Sequence, residues 1–201
     1  MISIALIDDH PLAINGIGAW LTGTGRFTIA GTAGTITEAK ELMNRLPALP
    51  DIIILDISLG EEDGLKFIPV LKDICAKRNA ALPGILVCSM YEDPFLVQQA
   101  LDSQVRAYVP KTADSREILK AIDAILEGGV YINEKYLITM PNQAWSNFTR
   151  RESEIVSLVK RNFSTKQISK RLSISLRTVE NHLASIYAKT GAKSRDELIG
   201  L

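Results

Sequence analysis

The chain has 201 residues, 46% of them hydrophobic and 23% charged, and its 23 Lys and Arg balance its 23 Asp and Glu. This length allows one or two domains with a substantial core, and the composition excludes an intrinsically disordered protein. No apolar run is long enough to span a membrane, and no basic segment followed by an apolar one opens the chain. We therefore expect a cytoplasmic protein without a membrane partner.

The zero net charge conceals a difference between the two ends of the chain. Residues 146–201 contain 11 Lys and Arg against five Asp and Glu, a net charge of +6. Residues 1–145 contain 12 against 18, a net charge of −6. This split favours an acidic module that binds cations and a basic module that binds polyanions.

Strands and helices are predicted to alternate over the first 127 residues. The predicted elements, in chain order, are strand Ile2–Ile7, a helix from Pro11 that Gly23 and Gly25 end, strand Phe27–Ala30, helix Thr37–Leu46, strand Ile52–Leu55, helix Leu65–Arg78, strand Gly84–Ser89, helix Pro94–Ser103, strand Val105–Val109 and helix Ser115–Glu127. Such alternation predicts an α/β fold with a five-stranded, doubly wound parallel sheet.

Acidic side chains follow two of these strands. Ile52–Leu55 has four aliphatic residues without polar alternation, which is typical of a strand buried on both faces. Asp56 comes next, at the carboxyl end where open α/β sheets bind ligands, although an Asp that only caps the following helix is the simpler alternative. Asp8 and Asp9 follow the first strand, which should lie beside the third. The three carboxylates are therefore expected to converge.

Converging carboxylates need either raised pKa values or a cation. Two unit charges ~4 Å apart interact by about 4 kcal/mol at an effective dielectric of ~20. Oxygen-only ligation suits Mg²⁺, which often brings a phosphate with it. Ser89 ends the fourth predicted strand and Lys111 follows the fifth, and both would bind phosphoryl oxygens. These residues predict that Asp56 is the attacking carboxylate and forms an aspartyl phosphate.

Residues 1–127 resemble the receiver domain of two-component response regulators, a flavodoxin-like fold. The matching residues are Asp8, Asp9, Asp56, Ser89, Tyr108 and Lys111. The resemblance implies that a sensor histidine kinase phosphorylates Asp56, and that Mg²⁺ contacts one acid of the pair, Asp56 and the backbone carbonyl of Ser58. Gly60 and Thr112 depart from the family, which often has proline there, but neither departure removes a catalytic group.

The same resemblance implies a conformational switch. Phosphoryl oxygens on Asp56 would attract the Ser89 hydroxyl, and Tyr108 would turn into the vacated space. An aromatic residue at the rim of the surface is an equally simple role for Tyr108.

The last part of the chain has a purely helical pattern. Residues 128–146 are a predicted linker, with a short helix at Glu134–Met140, and residues 147–201 form a small all-α domain. Thr149 and Glu152 have the spacing of a capping box, and Ser164 and Ser175 are expected to cap the next two helices. Because a tight turn joins these two helices, they are typical of a helix-turn-helix.

The third of these helices has two different faces. At about 100° per residue, Val179, His182, Leu183 and Ile186 share one side. The opposite side and its flanks carry Arg177, Asn181, Ala184, Ala188, Glu180 and Ser185. Small and hydrogen-bonding residues permit close approach to the bases of a major groove. The candidate phosphate contacts around this face are Lys166, Lys170, Arg171, Thr178 and Lys189. The alternative is a solvated amphipathic helix in a plain bundle.

Residues 148–198 resemble the LuxR-type DNA-binding domain of NarL/FixJ regulators. The resemblance rests on residues 149–156, 164–169 and 178–182. It implies that the face with Glu180, Asn181 and Ala184 enters the DNA groove and that a fourth helix dimerises. That helix, Ser194–Leu201, ends with the chain, which predicts either weaker dimerisation or a truncated chain.

We therefore predict a transcription regulator, not an enzyme, whose DNA binding is controlled by Mg²⁺-dependent phosphorylation of Asp56. The active form is expected to be a homodimer. One alternative is a regulator that acts without phosphate, through partner binding. A phosphatase with an aspartate nucleophile is the other, although such enzymes carry the nucleophile on the first strand with a second acid two residues later. In this chain Asp8 and Asp9 are adjacent.

Overall fold

The computed structural model describes residues 1–133 and 148–201, without the side chains of Pro94 and Arg150. These residues form two compact units, one built mainly from residues 1–133 and the other mainly from residues 148–201. The short helix predicted at Glu134–Met140 lies outside the described residues, and the domain limits at residues 127 and 147 stay predictions. Within the described part, no helix is long and apolar enough to cross a membrane.

A parallel sheet organises the first unit. Its strands are β1 (Ile2–Ile7), β2 (Phe27–Ala33), β3 (Ile52–Leu55), β6 (Gly84–Ser89), β7 (Ala107–Pro110) and β8 (Tyr131–Ile132). They lie in the order β2-β1-β3-β6-β7-β8. A separate antiparallel hairpin of β4 (Ser58–Leu59) and β5 (Glu62–Asp63) follows the central strand. The predicted doubly wound parallel sheet is confirmed.

Five helices of the described residues cover the two faces of this sheet. They are α1 (Pro11–Gly23), α2 (Ile36–Arg45), α3 (Phe67–Lys77), α4 (Pro94–Asp102) and α5 (Ser115–Leu126). Alternate residues of the central strands, such as Ile4 and Ile54, pack with α1 and α5 in one hydrophobic cluster. On the opposite face, a Cβ at Gly31 would lie 2.5 Å from Cδ1 of Leu42 in α2, so this helix packs closely against β2 and a larger residue would displace the Leu42 side chain.

Within residues 1–133 the sheet has one strand more than the five predicted. β8 pairs in parallel with β7, inside the segment predicted to be linker. With only two residues, it has no hydrophobic pattern long enough to be recognised. β2 also continues to Ala33, beyond the predicted end at Ala30. A register shift between Ile4 and Ala5 of β1 skips Ala30, and the pairing continues from Gly31 to Ala33.

The second unit is helical. Its described helices are α6 (Arg150–Lys160), α7 (Thr165–Leu172), α8 (Leu176–Thr190) and α9 (Arg195–Gly200). Thr149 and Glu152 form the predicted capping box of α6, and Ser164 and Gln167 form another at α7. Ser173 adopts the left-handed conformation, with φ of 51°, in the tight turn between α7 and α8. The predicted helix-turn-helix is therefore present.

Candidate functional site

The ends of β1 and β3 bring the predicted acids together. These strands pair directly, with Ile7 opposite Leu55, so the residues that follow them are neighbours. Asp8, Asp9, His10 and Asp56 each place one potential metal-ligand atom within 4.8 Å of the others. Asp8 is 7% exposed and Asp56 only 3%. We refer to these four residues and Lys111 as the acid pocket.

Lys111 enters the acid pocket from the end of β7. Its backbone N–H donates to the carbonyl of Ser89 at 2.8 Å, which fixes the loop after β7 against the end of β6. Its Nζ lies 2.6 Å from Oδ2 of Asp8 and 2.8 Å from Oδ2 of Asp56. One ammonium therefore pairs with two buried carboxylates, and the carboxylate of Asp9 lies close to them. The three carboxylates thus outnumber the cations of the acid pocket.

The ionisation of Asp56 and Lys111 follows from this crowding. Burial raises the pKa of Asp56 above its ordinary value, although the hydrogen bond and the charge of Lys111 act in the opposite direction. Burial also disfavours the charged form of Lys111. Hydrogen bonds to Asp56 and Asp8 outweigh that effect and raise the pKa of Lys111. Lys111 thus keeps its proton, and Asp56 is a carboxylate held in an unfavourable environment.

The loop after β3 holds the backbone close to Asp56. The N–H of Ser58 donates to Oδ1 of Asp56 at 3.2 Å, so Ser58 lies directly beside the carboxylate. The N–H of Gly64 donates to the carbonyl of Ile57 at 2.7 Å. A Cβ at Gly64 would lie 2.0 Å from the backbone carbonyl oxygen of Asp56. This loop therefore requires glycine at residue 64.

His10 and Gly60 complete the rim beside Asp9. Nδ1 of His10 lies 3.3 Å from Oδ1 of Asp8 and 2.9 Å from Oδ1 of Asp9. The N–H of Gly60 donates to Oδ2 of Asp9 at 2.8 Å. Asp9 is therefore oriented by the hairpin loop from one side and faces an imidazole on the other.

Ser89 and Tyr108 are both buried and both bound to the backbone of Tyr91. Each has no exposed surface. Oγ of Ser89 accepts a hydrogen bond from the N–H of Tyr91 at 3.2 Å, and the hydroxyl of Tyr108 donates to the carbonyl of Tyr91 at 2.6 Å. The interpretation of Tyr108 as a rim aromatic is wrong, because the ring lies inside the fold. One peptide segment thus contacts both predicted switch residues.

In the second unit, α8 has the two faces expected of it. Val179, Leu183 and Ile186 are buried against the neighbouring helices, and His182 is partly buried beside them. The predicted contact residues that lie exposed on the outer face are Arg177, Glu180, Asn181 and Ala184. Thr178 is partly buried, and its hydroxyl lies 2.8 Å from that of Ser175. Lys166 and Lys170 of α7 are exposed as well.

Two predicted DNA contacts, Ser185 and Lys189, lie elsewhere on α8. The hydroxyl of Ser185 donates to Oε1 of Glu152 at 2.6 Å, and Nζ of Lys189 lies 2.6 Å from Oε2 of the same residue. Glu152 itself is 3% exposed. The structure therefore places both side chains on a buried carboxylate of α6.

Known protein families match both units of the chain. The response regulator receiver domain matches residues 4–123, which is more than half of the sequence. The chain is a response regulator. Residues 146–201 match bacterial regulatory proteins of the luxR family, so the response regulator combines a receiver domain with a LuxR-type DNA-binding domain.

Individual relatives extend over nearly the whole response regulator. The oxygen regulatory protein NreC of Staphylococcus aureus (strain JH9) is 26% identical over 211 residues, which cover 98% of this chain and 94% of NreC. RcsB from Salmonella enterica serovar Typhimurium, bound to promoter rprA in the presence of phosphomimetic BeF₃⁻, has a TM-score of 0.73 at 24% identity. The match covers 100% of this chain and 98% of that one. RcsB bound to promoter P1flhDC has a TM-score of 0.74 at 23% identity and covers 100% and 99%. At these identities the two structures establish a shared fold.

Three residues of the response regulator were not predicted to act at its sites. His10 follows the acid pair directly, and its position in the sequence was the available signal. Gly64 ends an acidic loop, but nothing in the sequence indicates its contact with the Asp56 carbonyl. Glu152 was predicted only as a helix cap, because its contacts with Ser185 and Lys189 span more than 30 residues.

Proposed function

We propose that phosphorylation of Asp56 controls the binding of this response regulator to double-stranded DNA. The main observation that supports the proposal is the burial of Asp56 and its contact with Lys111. Its carboxylate is buried beside Asp8 and faces the ammonium of Lys111 at 2.8 Å. A destabilised carboxylate next to a cation is suited to act as a nucleophile toward a phosphoryl group.

Mg²⁺ fits the donor set of the acid pocket. Asp8, Asp9 and Asp56 would hold it with the backbone carbonyl of Ser58, because Mg²⁺ prefers oxygen ligands and retains several waters. Oδ1 of Asp9 is buried and has no hydrogen-bond donor among the described residues, although Nδ1 of His10 lies 2.9 Å away. When bound, the ion would offset the negative charges of the carboxylates and of the incoming phosphoryl group.

The phosphodonor in this proposal is a phosphohistidine of a sensor histidine kinase. A carboxylate oxygen of Asp56 would bond to phosphorus while the bond from phosphorus to the imidazole nitrogen breaks. The imidazole keeps the electron pair and takes up a proton. Lys111 would then pair with a phosphoryl oxygen, since a charge-assisted hydrogen bond to phosphate is stronger than one between neutral groups.

The shared contact with Tyr91 supports a coupled switch. If the Ser89 hydroxyl turned toward a phosphoryl oxygen, it would lose its hydrogen bond from the Tyr91 N–H. The loop could then shift and change the position of the carbonyl that Tyr108 contacts. Phosphorylation would shift the population toward this second arrangement and favour a homodimer.

The outer face of α8 is the proposed recognition surface for DNA. Asn181 can pair with adenine, Arg177 with guanine or a phosphate, and Glu180 with the amino group of cytosine. Ala184 allows the helix to lie close to the base edges, and Thr178 lies at the phosphate rim. Lys166 and Lys170 would hold the phosphates from α7.

Relatives support the DNA, dimer and cellular parts of the proposal. RcsB is known bound to promoter DNA and as two dimers bound to two parallel DNAs. By analogy, we infer that this response regulator binds promoter DNA as a homodimer. Because bacterial chromosomes lie in the cytoplasm, it would act there.

The test is labelling with radioactive acetyl phosphate in the presence of Mg²⁺. The unaltered chain should incorporate at most one phosphoryl group, Asp56→Asn should incorporate none, and Asp51→Asn should behave as the unaltered chain. Labelling of Asp56→Asn would remove Asp56 from the mechanism. Continuous release of phosphate from a generic phosphoester would favour the phosphatase alternative instead.

A further inference from the structure

Glu152 connects the start of α6 with the side of α8. Its Oε2 accepts the N–H of Thr149 at 2.7 Å and the ammonium of Lys189 at 2.6 Å, while Oε1 accepts the Ser185 hydroxyl at 2.6 Å. Ser185 and Lys189 are four residues apart and therefore lie one above the other on α8. A single buried carboxylate thus holds α8 at two points one turn apart.

The pKa of Glu152 reflects the effect of these hydrogen-bond donors. Burial by itself raises the pKa of Glu152. Hydrogen bonds from Lys189, Ser185 and Thr149 outweigh burial and lower the pKa to about 2. Glu152 is therefore a carboxylate at neutral pH and depends on Lys189 for its charge partner. Moving Lys189 away would leave a buried anion without its cation, which is strongly unfavourable.

We propose that Lys189 and Ser185 are positioning residues that set the orientation of α8 in the DNA groove, and that Lys189 makes no phosphate contact. This inference rests on the proposed function in DNA binding. At about 100° per residue, Lys189 falls between the buried stripe and the outer face of α8. From there its ammonium points to Glu152, while Arg177, Asn181 and Ala184 face outward. Fixing the rotation of α8 fixes which of these side chains reaches a base.

The experiment uses the full chain with Mg²⁺ and beryllofluoride. Its probes are a duplex that the unaltered chain selects from a random-sequence pool and a shuffled duplex of the same composition. Dissociation constants are measured over a range of salt concentrations. Lys166→Met is the matched control, because Lys166, like Lys170, is an exposed lysine of α7 that is proposed to contact a phosphate. It should weaken binding to both duplexes and reduce the salt slope by about 1.

Lys189→Met should give a different pattern. We expect about tenfold weaker binding to the selected duplex, the size of one lost base contact, with little change for the shuffled duplex and an unchanged salt slope. Glu152→Gln should also weaken binding to the selected duplex. Because the two residues form one contact, the variant with both changes should bind this duplex no more weakly than the single variant with the lower affinity.

Two results would overturn the inference. One is a salt slope that falls by about 1 in Lys189→Met, since that change is the sign of a lost phosphate contact. The other is tighter binding by Glu152→Gln to both duplexes, which would mean that Glu152 had withheld Lys189 from the phosphates. If either variant is unfolded at the assay temperature by circular dichroism, Ser185→Ala replaces it. Ser185→Ala should lose selectivity with an unchanged salt slope, and unchanged selectivity would count against the proposal.

A different result would show that the proposed DNA-binding function itself is wrong. If the unaltered chain enriched no duplex from the pool, the DNA-binding function would be wrong and the positioning role would fall with it. If it enriches a duplex and Lys189→Met matches Lys166→Met, only the positioning role fails.

Discussion

Lys111 donates a hydrogen bond to Asp56 at 2.8 Å, yet the pKa of Asp56 lies above its ordinary value because burial outweighs this attraction. An acid whose pKa is higher in the folded than in the unfolded chain adds to the free energy of unfolding when it is protonated. This contribution is fully present at pH values below the pKa of the unfolded chain. That stability is lost as the pH rises through the folded pKa. At neutral pH, ionised Asp56 therefore lowers the free energy of unfolding of the receiver domain.

Asp56→Asn should stabilise the receiver domain at pH 7, because the amide is neutral and has nearly the same shape as the carboxyl. We expect the unfolding midpoint to rise by roughly 3–5 °C, which is the shift that about 1 kcal/mol gives in a domain of about 130 residues. The difference from the unaltered chain should shrink as the pH falls toward 4. Thermal unfolding at several pH values measures it.

Asp51→Asn is the control for the direction of this change in the unfolding midpoint. The backbone N–H and the hydroxyl of Ser3 both donate to Asp51 at 2.8 Å and lower its pKa. The ionised form of Asp51 is thus the stabilising one, and the amide should lower the midpoint slightly at pH 7. A fall in the midpoint of Asp56→Asn as well would mean that Lys111 outweighs burial at Asp56.

Mg²⁺ should stabilise the unaltered receiver domain against heat. A ligand that binds only the folded state adds about 2.7 kcal/mol at 100 times its dissociation constant. Replacing Asp8, Asp9 or Asp56 by Asn should abolish most of this gain, whereas Asp51→Asn should retain it. The measurement is the unfolding midpoint over a Mg²⁺ titration, with Na⁺ at equal ionic strength as the reference. An equal gain in all variants would place the ion elsewhere.

The sequence was sufficient to predict the acid pocket apart from His10, because the predicted residues lie at the ends of aliphatic runs. Ile2–Ile7 and Ile52–Leu55 have no polar alternation, so they had to be buried strands, and the polar residues after them had to meet at one edge. The same reasoning extended to Lys111. It required only the order of elements and the rule that parallel strands share a carboxyl edge.

Other features depend on geometry that a one-dimensional pattern does not contain. The contact of Gly64 with the Asp56 carbonyl depends on how the β4–β5 hairpin folds back. Lys189 lies at the border between two helix faces, so a helical projection cannot tell whether its long side chain turns toward DNA or toward Glu152. β8 has only two residues and pairs because β7 leaves an open edge.

Gly64→Ala should disrupt the site of Asp56. The added Cβ would lie 2.0 Å from the Asp56 carbonyl oxygen, so the backbone beside the phosphoacceptor must move. We expect a loss of ~1–3 kcal/mol in the free energy of unfolding and slower labelling by acetyl phosphate. Gly16→Ala is the matched control, because its Cβ meets no atom within 4 Å, and it should gain about 0.5–1 kcal/mol within α1. Normal labelling of Gly64→Ala would show that the loop adapts without moving Asp56.

Tyr108→Phe should separate the packing of this ring from its hydrogen bond. The change removes the donor to the Tyr91 carbonyl and leaves that carbonyl without this partner, which costs about 1 kcal/mol or somewhat more. If the hydroxyl takes part in the switch, the variant should also dimerise less in beryllofluoride and Mg²⁺, as light scattering would detect. Dimerisation equal to that of the unaltered chain would limit Tyr108 to packing.

Glu152 should make the DNA-binding domain sensitive to acid. Its pKa in the folded state is about 2, below the ordinary value of 4.5, because the donors from Lys189, Ser185 and Thr149 outweigh burial. A depressed pKa gives stability that is present above the unfolded value and is lost as the pH falls toward the folded one. The amides of α8 should therefore lose protection between about pH 4.5 and pH 2.

Hydrogen exchange of the full chain, read by mass spectrometry on peptides from α8, measures this loss locally. After correction for the intrinsic effect of pH on exchange, protection in the unaltered chain should fall through that window. Glu152→Gln should start with less protection and show a flatter profile, because glutamine cannot ionise. Glu180→Gln removes an exposed carboxylate from the same helix and should follow the unaltered chain. If Glu152→Gln lost protection as steeply as the unaltered chain, another carboxyl would have to cause the acid sensitivity, and the contacts of Glu152 would contribute little to holding α8.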